Sequence, residues 1–182
     1  MKSYKIEGIV LKRINYGEAD RILTIYTKRH GKIRAIAKGV RKLTSRKAGS
    51  LELFNNVVLF LVKGKNLDII TEAQTVDLFR SWRKDLLRVG VAYYFCELTD
   101  KLTPDEQPNQ EVFNLLKTSL SQLSKSPLSD LIKSFEKSIL TDLGFGIPKE
   151  WENEKGSLKP YIESIVEKKI NSAEVLRKIN EK

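Results

Sequence analysis

The chain has 182 residues, of which 41% are hydrophobic and 31% charged, a composition typical of one large globular domain or two small ones. The longest apolar run, 57–62, is too short to span a membrane, and the N-terminal stretch lacks the hydrophobic region of a secretory signal peptide. A single cysteine, Cys96, excludes an internal disulfide. Together with a single histidine, His30, it cannot form a zinc cage, so we predict no metal and no cofactor.

The net charge of +10 is concentrated in one part of the chain. Residues 1–76 contain 16 Lys and Arg against 6 Asp and Glu, whereas residues 77–182 contain 17 of each kind. Within the first part, residues 28–47 carry nine basic residues and no acidic one. Solubility alone does not require this asymmetry, but binding a phosphate backbone favours it, because cations release the counterions condensed there. The sequence therefore predicts a polyanion-binding surface within residues 1–76.

Residues 4–76 are predicted to form five short strands. The segments rich in β-forming residues lie at 4–13, 21–27, 32–38, 53–62 and 67–76. Turns around Gly17, Gly31 and Gly64 and one longer basic loop, 39–47, connect them. Five short strands in so few residues are typical of a small barrel, and the five-stranded OB-fold is the predicted topology.

From residue 77 onward, apolar residues recur at intervals of three and four, which predicts helices. The predicted helices lie at 81–102, 111–124, 127–143, 161–169 and 172–180, with the polar segment 149–157 as a loop. No Gly- or Pro-rich spacer separates strands from helices, so the two parts are expected to pack together. The predicted architecture is α+β, with an OB-fold domain at 1–78 and a helical bundle domain at 79–182.

Several short motifs, taken together, are specific enough to indicate a family. They are Gly8-Ile9-Val10-Leu11, Tyr16-Gly17-Glu18-Ala19-Asp20, Thr27 with His30-Gly31-Lys32, and Ala37-Lys38-Gly39-Val40-Arg41. This pattern resembles the N-terminal domain of RecO, a family of bacterial recombination mediators. The stretch 143–148, LGFGIP, is similar to the helix end that precedes the zinc module of that family. Many members carry four cysteines after it, but 149–162 contains none, so we expect the module to be absent or replaced by a metal-free loop.

The resemblance implies a DNA-binding OB domain fused to a helical domain, without a catalytic centre. It implies recombinational repair of single-strand gaps in the RecF pathway, in the bacterial cytoplasm at the nucleoid. Such a protein binds single- and double-stranded DNA, anneals complementary strands, contacts the acidic tail of single-strand-binding protein and, with RecR, helps to load RecA. Two alternatives stay open, namely an adaptor whose basic barrel binds acidic protein and an RNA-binding OB protein acting in translation.

The candidate DNA-binding residues lie on the basic strand and loop. In strand 32–38, apolar and cationic residues alternate, so one face can be buried while the other is cationic. Tyr16, in the turn 15–20, could stack on bases, whereas Tyr26 in mid-strand is expected to pack in the core. The predicted set is Lys32, Arg34, Lys38, Arg41, Lys42, Arg46, Lys47 and Tyr16.

A second candidate site lies at the start of the first predicted helix. A basic cluster beside an aromatic residue could receive an acidic peptide that ends in an apolar side chain. The predicted partner-binding residues are Arg80, Trp82, Arg83 and Arg88, with Lys133 and Lys137 of the third helix as an alternative location.

No catalytic site is predicted. The carboxylates of the motif 16–21 lie in a turn, whereas general acid–base catalysis requires groups that converge in a cleft. There is no nucleophile–base pair and no phosphate-cradling Gly-rich loop. His30 is assigned to the geometry of a turn, and Cys96 to a buried position on the most apolar helix.

Overall fold

The computed structural model describes residues 2–152 and 157–173, and the chain divides into two compact units. The first consists of Met1–Phe79 and Pro104–Phe113, and the second of Arg80–Thr103 and Asn114–Lys182. The predicted domain boundary at residues 78 and 79 stays a prediction. The predicted helical domain includes the segment Pro104–Phe113, but this segment has most of its contacts in the first unit.

Five strands build the first unit. They are β1 (Ser3–Tyr16), β2 (Asp20–Thr27), β3 (Gly31–Ala37), β4 (Asn56–Val62) and β5 (Asp68–Asp77). The strands form a closed barrel in the order β1-β2-β3-β5-β4. All pairings are antiparallel except the short contact between β3 and β5. This order confirms the predicted α+β class with an N-terminal five-stranded OB-fold barrel.

Alternating strand residues fill the barrel with aliphatic side chains. The core contains Ile6, Val10, Leu23, Ile25, Ala35, Ala37, Val57, Leu59, Leu61 and Ile70. Successive strand residues point to opposite faces, so their neighbours lie on the outer surface. The alternation predicted for 32–38 is confirmed at Ala35 and Ala37, which are buried, and at Arg34 and Lys38, which are exposed. It is wrong at Lys32, which is predicted on the cationic face but is buried.

The connection between β3 and β4 is ordered because it contributes to the core. Val40 and Leu51 pack with the buried barrel residues. Phe54 has a positive φ of 73°, and the side-chain amide of Asn55 donates to the carbonyl oxygens of Gly49 and Ser50 at 3.0 and 2.9 Å. The predicted start of the fourth strand at residue 53 is therefore wrong, and β4 begins at Asn56.

The second unit is helical. Its helices are α1 (Leu86–Leu102), most of α2 (Gln110–Gln122), α3 (Leu128–Asp142), α4 (Lys149–Glu152) and α5 (Lys159–Val166), with 3-10 turns at Arg80–Trp82 and Asn171–Ala173. The rings of Phe95 on α1 and Phe135 on α3 stack with centroids 4.1 Å apart. Within the described residues, no helix is long and apolar enough to cross a membrane.

Two helical predictions need correction. The first helix begins at Leu86 rather than at residue 81, because the Asp85 carboxylate accepts from the backbone N–H groups of Leu87 and Arg88 at 3.0 and 3.3 Å. The predicted loop 149–157 contains α4, where the Trp151 ring lies 6.1 Å from that of Tyr161. Most of the predicted helix 172–180 lies outside the described residues.

Candidate nucleic-acid interface

The basic residues predicted as one surface lie at two ends of β3. Lys32 and Arg34 occupy its beginning, whereas the other predicted cations follow its last residue, Ala37. At about 3.3 Å per strand residue, Lys32 and Lys38 are separated by roughly 20 Å along the strand. The two groups must therefore be considered separately.

At the beginning of β3, Asp105 pairs with both predicted cations. Its carboxylate lies 3.4 Å from Lys32 Nζ and 3.2 Å from the Arg34 guanidinium. Lys32 is only 9% exposed, and its carbonyl oxygen accepts from the Glu106 N–H at 2.9 Å. Lys32 therefore helps to attach the segment Pro104–Phe113 to the barrel. Asp105 was missed from sequence because it lies 71 residues from Arg34.

An open groove of about 770 Å³ borders this end of the barrel. Tyr4 lines it and donates its hydroxyl hydrogen to Asp68, whose carboxylate also accepts from Lys63 Nζ at 2.9 Å. Burial and the bond to Asp68 raise the pKa of Tyr4. Burial alone would raise the pKa of Asp68, but the hydrogen bonds from Tyr4 and Lys63 outweigh it and lower that pKa. Much of the positive charge in the groove is thus neutralised by ion pairs.

At the other end of β3, the predicted cations face solvent. Their side chains are all exposed, and we call them the loop cluster: Lys38, Arg41, Lys42 and Arg46. Leu43, at 106% exposure, lies among them. Because Val40 and Leu51 anchor the connection in the core, these cations project from a fixed backbone.

Three hydrogen bonds hold the start of this loop against the β1–β2 turn. The Gly39 N–H donates to Asp20 Oδ1 at 2.7 Å. The Arg41 N–H donates to the Ala19 carbonyl at 2.9 Å, and its guanidinium donates to the Gly17 carbonyl at 3.3 Å. The turn follows Tyr16, which is 56% exposed at the end of β1. The structure therefore brings Tyr16 and the loop cluster to the same end of the barrel.

Lys47 and Tyr26 are directed inward. Lys47 Nζ donates to the Ile70 carbonyl at 2.8 Å, and burial lowers its pKa. Its ammonium therefore donates to a backbone group of β5. The four cations of the loop cluster, by contrast, are exposed to solvent. Tyr26 is fully buried, as expected for a core residue, and burial raises its pKa to about 12.

Sequence reasoning missed Lys12 of β1, an exposed cation on the outer face. It pairs in register with Thr24 of β2, which in turn pairs with Arg34 of β3. The alternation of β1 is shifted by an irregularity between Val10 and Lys12, which hid this side chain's orientation in the sequence pattern.

The predicted partner-binding cluster does not present an aromatic surface. Trp82 is 1% exposed, and its indole N–H donates to the Leu120 carbonyl at 2.7 Å, because a buried indole requires an acceptor. The Arg83 guanidinium lies 5.4 Å from the Trp82 ring centroid, and Arg88 donates to the Leu123 carbonyl and to Asp85. Partner binding by Arg80, Trp82, Arg83 and Arg88, or at the alternative location Lys133 and Lys137, stays a prediction.

The remaining single residues are structural in character. Gly31 has a positive φ of 66° in the turn beside His30, whose exposed ring lies 5.8 Å from that of Tyr4. Cys96 is a buried thiol whose pKa is raised by burial. Among the described residues, no group of three His, Cys, Asp or Glu side chains is arranged to hold a metal ion.

Replacing Asp105 by Asn tests whether its ion pairs with Lys32 and Arg34 weaken the binding of these cations to nucleic acid. If Arg34 meets phosphate, releasing it is expected to raise the affinity for a single-stranded oligonucleotide about two- to fivefold at roughly 50 mM salt, since exposed ion pairs are weak. Fluorescence anisotropy measures this affinity. An unchanged affinity would mean that this end of β3 does not contact DNA, and Glu111→Gln, an exposed carboxylate on α2, is the matched control.

Comparisons with known proteins identify the family. A family model described as "Recombination protein O N terminal" matches residues 1–79, and "Recombination protein O C terminal" matches residues 83–157. The chain is 41% identical over 143 residues to "DNA repair protein RecO" of Roseiflexus sp. (strain RS-1), covering 78% of this chain and 50% of that protein. It is 39% identical over 145 residues to "DNA repair protein RecO" of Pelotomaculum thermopropionicum, covering 80% and 57%. The protein of the same name from Symbiobacterium thermophilum is 38% identical over 148 residues, covering 80% and 58%.

The chain spans about half to three fifths of the length of these curated relatives. The two matched regions follow the order found in the structure, a strand-rich part and then a helical part. The chain therefore belongs to the RecO family.

Proposed function

We propose that this chain is a non-enzymatic DNA-binding protein of recombinational DNA repair. The relatives are named DNA repair proteins. The observation that carries the proposal is the loop cluster, four exposed cations on a connection whose backbone is anchored in the barrel core. Such cations attract a phosphate backbone at long range and release its counterions on contact.

The anchored loop suits binding to a flexible strand. Ordering a mobile loop on binding would cost conformational entropy, and the hydrogen bonds of Gly39 and Arg41 to the β1–β2 turn reduce that cost in advance. Tyr16 lies at the same end of the barrel and is exposed enough to stack on an unpaired base. The proposed interface therefore combines phosphate contacts with one stacking side chain.

Annealing follows from the same electrostatics. Two complementary strands repel each other through their phosphates, and a protein that neutralises phosphates on each strand lowers that repulsion. In the proposed role the chain binds single- and double-stranded DNA, anneals complementary strands and acts with RecR and the acidic tail of single-strand-binding protein to help load RecA. Its proposed location is the bacterial cytoplasm, at the nucleoid.

The proposal predicts that the chain accelerates annealing of complementary oligonucleotides and that replacing the loop cluster by Ala slows annealing at least tenfold. Four exposed lysines of the second unit, Lys125, Lys137, Lys149 and Lys168, give a control variant with the same loss of charge. Annealing is followed by energy transfer between dye-labelled strands. Equal slowing in both quadruple variants would show that net charge alone matters and would reject the loop as the DNA site.

The same assay separates the alternative functions. An RNA-binding protein would prefer complementary RNA over DNA of the same sequence, since contacts to the 2′-hydroxyl distinguish the two. An adaptor for acidic protein would show no acceleration with either nucleic acid.

A further inference from the structure

A row of isoleucines crosses the outer surface of the barrel. Ile14 of β1 pairs with Ile22 of β2, Ile22 pairs with Ile36 of β3, and Ile36 pairs with Ile69 of β5. Residues paired in register point to the same face of a sheet. Leu23, next to Ile22, lies in the core, so the row faces outward. We call these four residues the isoleucine row.

The row is accessible. Ile14 is 52% exposed, and Ile22, Ile36 and Ile69 are each partly exposed. With neighbouring strands about 4.8 Å apart, the row is roughly 14 Å long. One exposed apolar side chain on a surface is ordinary, but four in register across four strands form a continuous strip.

Cations flank the strip on both sides. Lys12 and Arg34 belong to the cross-strand row on one side, and Lys38 lies two positions beyond Ile36 on the other. Arg34 pairs with Asp105 but remains 62% exposed. Asp20, on the side of Lys38, already accepts from the Gly39 N–H. The strip is thus apolar along its centre, with Lys12 and Arg34 on one edge and Lys38, beside Tyr16 and Asp20, on the other.

This arrangement fits a protein helix better than unpaired bases. Proteins that bind single strands stack bases on aromatic rings, and the isoleucine row itself contains none, since the one exposed aromatic ring beside it, Tyr16, lies at its edge. A length of about 14 Å corresponds to roughly nine helical residues, which present apolar side chains at positions i, i+4 and i+7 on one face. Acidic residues beside that face would meet the flanking cations.

We propose that the isoleucine row is a docking surface for an acidic amphipathic helix of a partner protein, with its apolar stripe on the four isoleucines and its carboxylates at Lys12, Arg34 and Lys38. This inference does not depend on DNA binding. Because Lys38 also belongs to the loop cluster, the helix and DNA are expected to compete.

The test uses two fluorescein-labelled peptides of about 16 residues and identical composition, long enough for four helical turns. One has Leu at positions i, i+4 and i+7 with Glu on both sides of that stripe, and the other has the same residues in an order without the helical period. Wild-type protein is expected to bind the periodic peptide about tenfold more tightly, measured by fluorescence anisotropy. Equal affinity for both peptides would overturn the proposal, because charge alone would then explain binding.

The variant Ile22→Thr/Ile36→Thr keeps β-branched side chains in the strands and removes apolar contact, so it is expected to abolish the preference. Thermal unfolding checks that the double variant is folded. Ile14→Thr, at the most exposed position of the row, is a second variant and is expected to reduce the preference for the periodic peptide by a few fold. Leu43→Thr, exposed but outside the row, is the matched control and is expected to keep the preference. The opposite outcome is that the double variant loses affinity for a single-stranded oligonucleotide and keeps the preference for the periodic peptide. That result would indicate that the isoleucine row contacts bases, and it would contradict the docking proposal.

Discussion

Replacing Gly31 by Ala is expected to destabilise the first unit by about 3 kcal/mol or more. Gly31 has a φ of +66°, where a side chain is strained. A Cβ added there would overlap the carbonyl group of Gln107, a backbone group that cannot move without displacing the segment Pro104–Phe113. Denaturant unfolding followed by circular dichroism measures the loss.

Gly17→Ala provides the matched control for that substitution. Gly17 has a similar φ of +55°, but among the described residues no atom beyond its chain neighbours lies within 4 Å of the place that an alanine Cβ would occupy. The substitution is expected to cost only about 1 to 2 kcal/mol, the strain of the left-handed backbone. If both substitutions cost the same, the overlap of the added Cβ with Gln107 would not contribute to the loss of stability.

Replacing Glu136 by Ala is expected to cost about 3 to 5 kcal/mol in the second unit. Glu136, on α3, is fully buried. Its carboxylate accepts from the hydroxyls of Tyr94 and Ser157, each at 2.6 Å, and from the Leu158 N–H at 2.7 Å. The substitution removes the acceptor for all three donors and leaves a cavity. Glu150→Ala, exposed on α4, is expected to change the free energy of unfolding by less than about 0.5 kcal/mol.

The same carboxyl group makes stability depend on pH. Burial raises the pKa of Glu136 above its usual value of 4.5, although the hydrogen bonds from Ser157, Tyr94 and Leu158 partly offset this. In the pH range between 4.5 and the raised pKa, the folded state binds a proton that the unfolded state has released. The stability that protonated Glu136 contributes is therefore complete below pH 4.5 and is lost as the pH rises through the folded-state pKa.

Glu136→Gln removes this titration. The stability difference between wild type and Glu136→Gln is expected to favour wild type most at and below pH 4.5 and to shrink as the pH rises above 4.5. Urea unfolding of both proteins at a series of pH values measures it. A difference that grows with pH would mean that the charged carboxylate is the favoured buried form.

The local sequence pattern was sufficient to predict those features of the fold that interactions within a few residues determine. The alternation in β3 correctly predicted that Ala35 and Ala37 are buried and that Arg34 is exposed, although it wrongly placed Lys32 on the exposed face, and Pro127 correctly marked the start of α3. Both signals arise within a few residues of sequence, from the two-residue period of a strand and the fixed φ of proline.

Tertiary partners decided the rest, and they are distant in sequence. Asp105 neutralises part of the charge of β3, and the Ile70 carbonyl draws Lys47 inward. The burial of Trp82 depends on an acceptor 38 residues away. The isoleucine row required the strand register, because each of its members alone is an ordinary β-forming residue.

The most direct test of the proposed DNA interface is the salt dependence of binding to a fluorescent single-stranded oligonucleotide. For wild type, log K is expected to fall steeply and linearly with log of the salt concentration. In the variant with Ala at Lys38, Arg41, Lys42 and Arg46, the slope is expected to be shallower by about 3 if all four side chains meet phosphates. The control variant that lacks four lysines of the second unit is expected to keep the wild-type slope. Equal slopes in the wild type and the loop-cluster variant would contradict the account, because the loop would then be only a solvated basic surface.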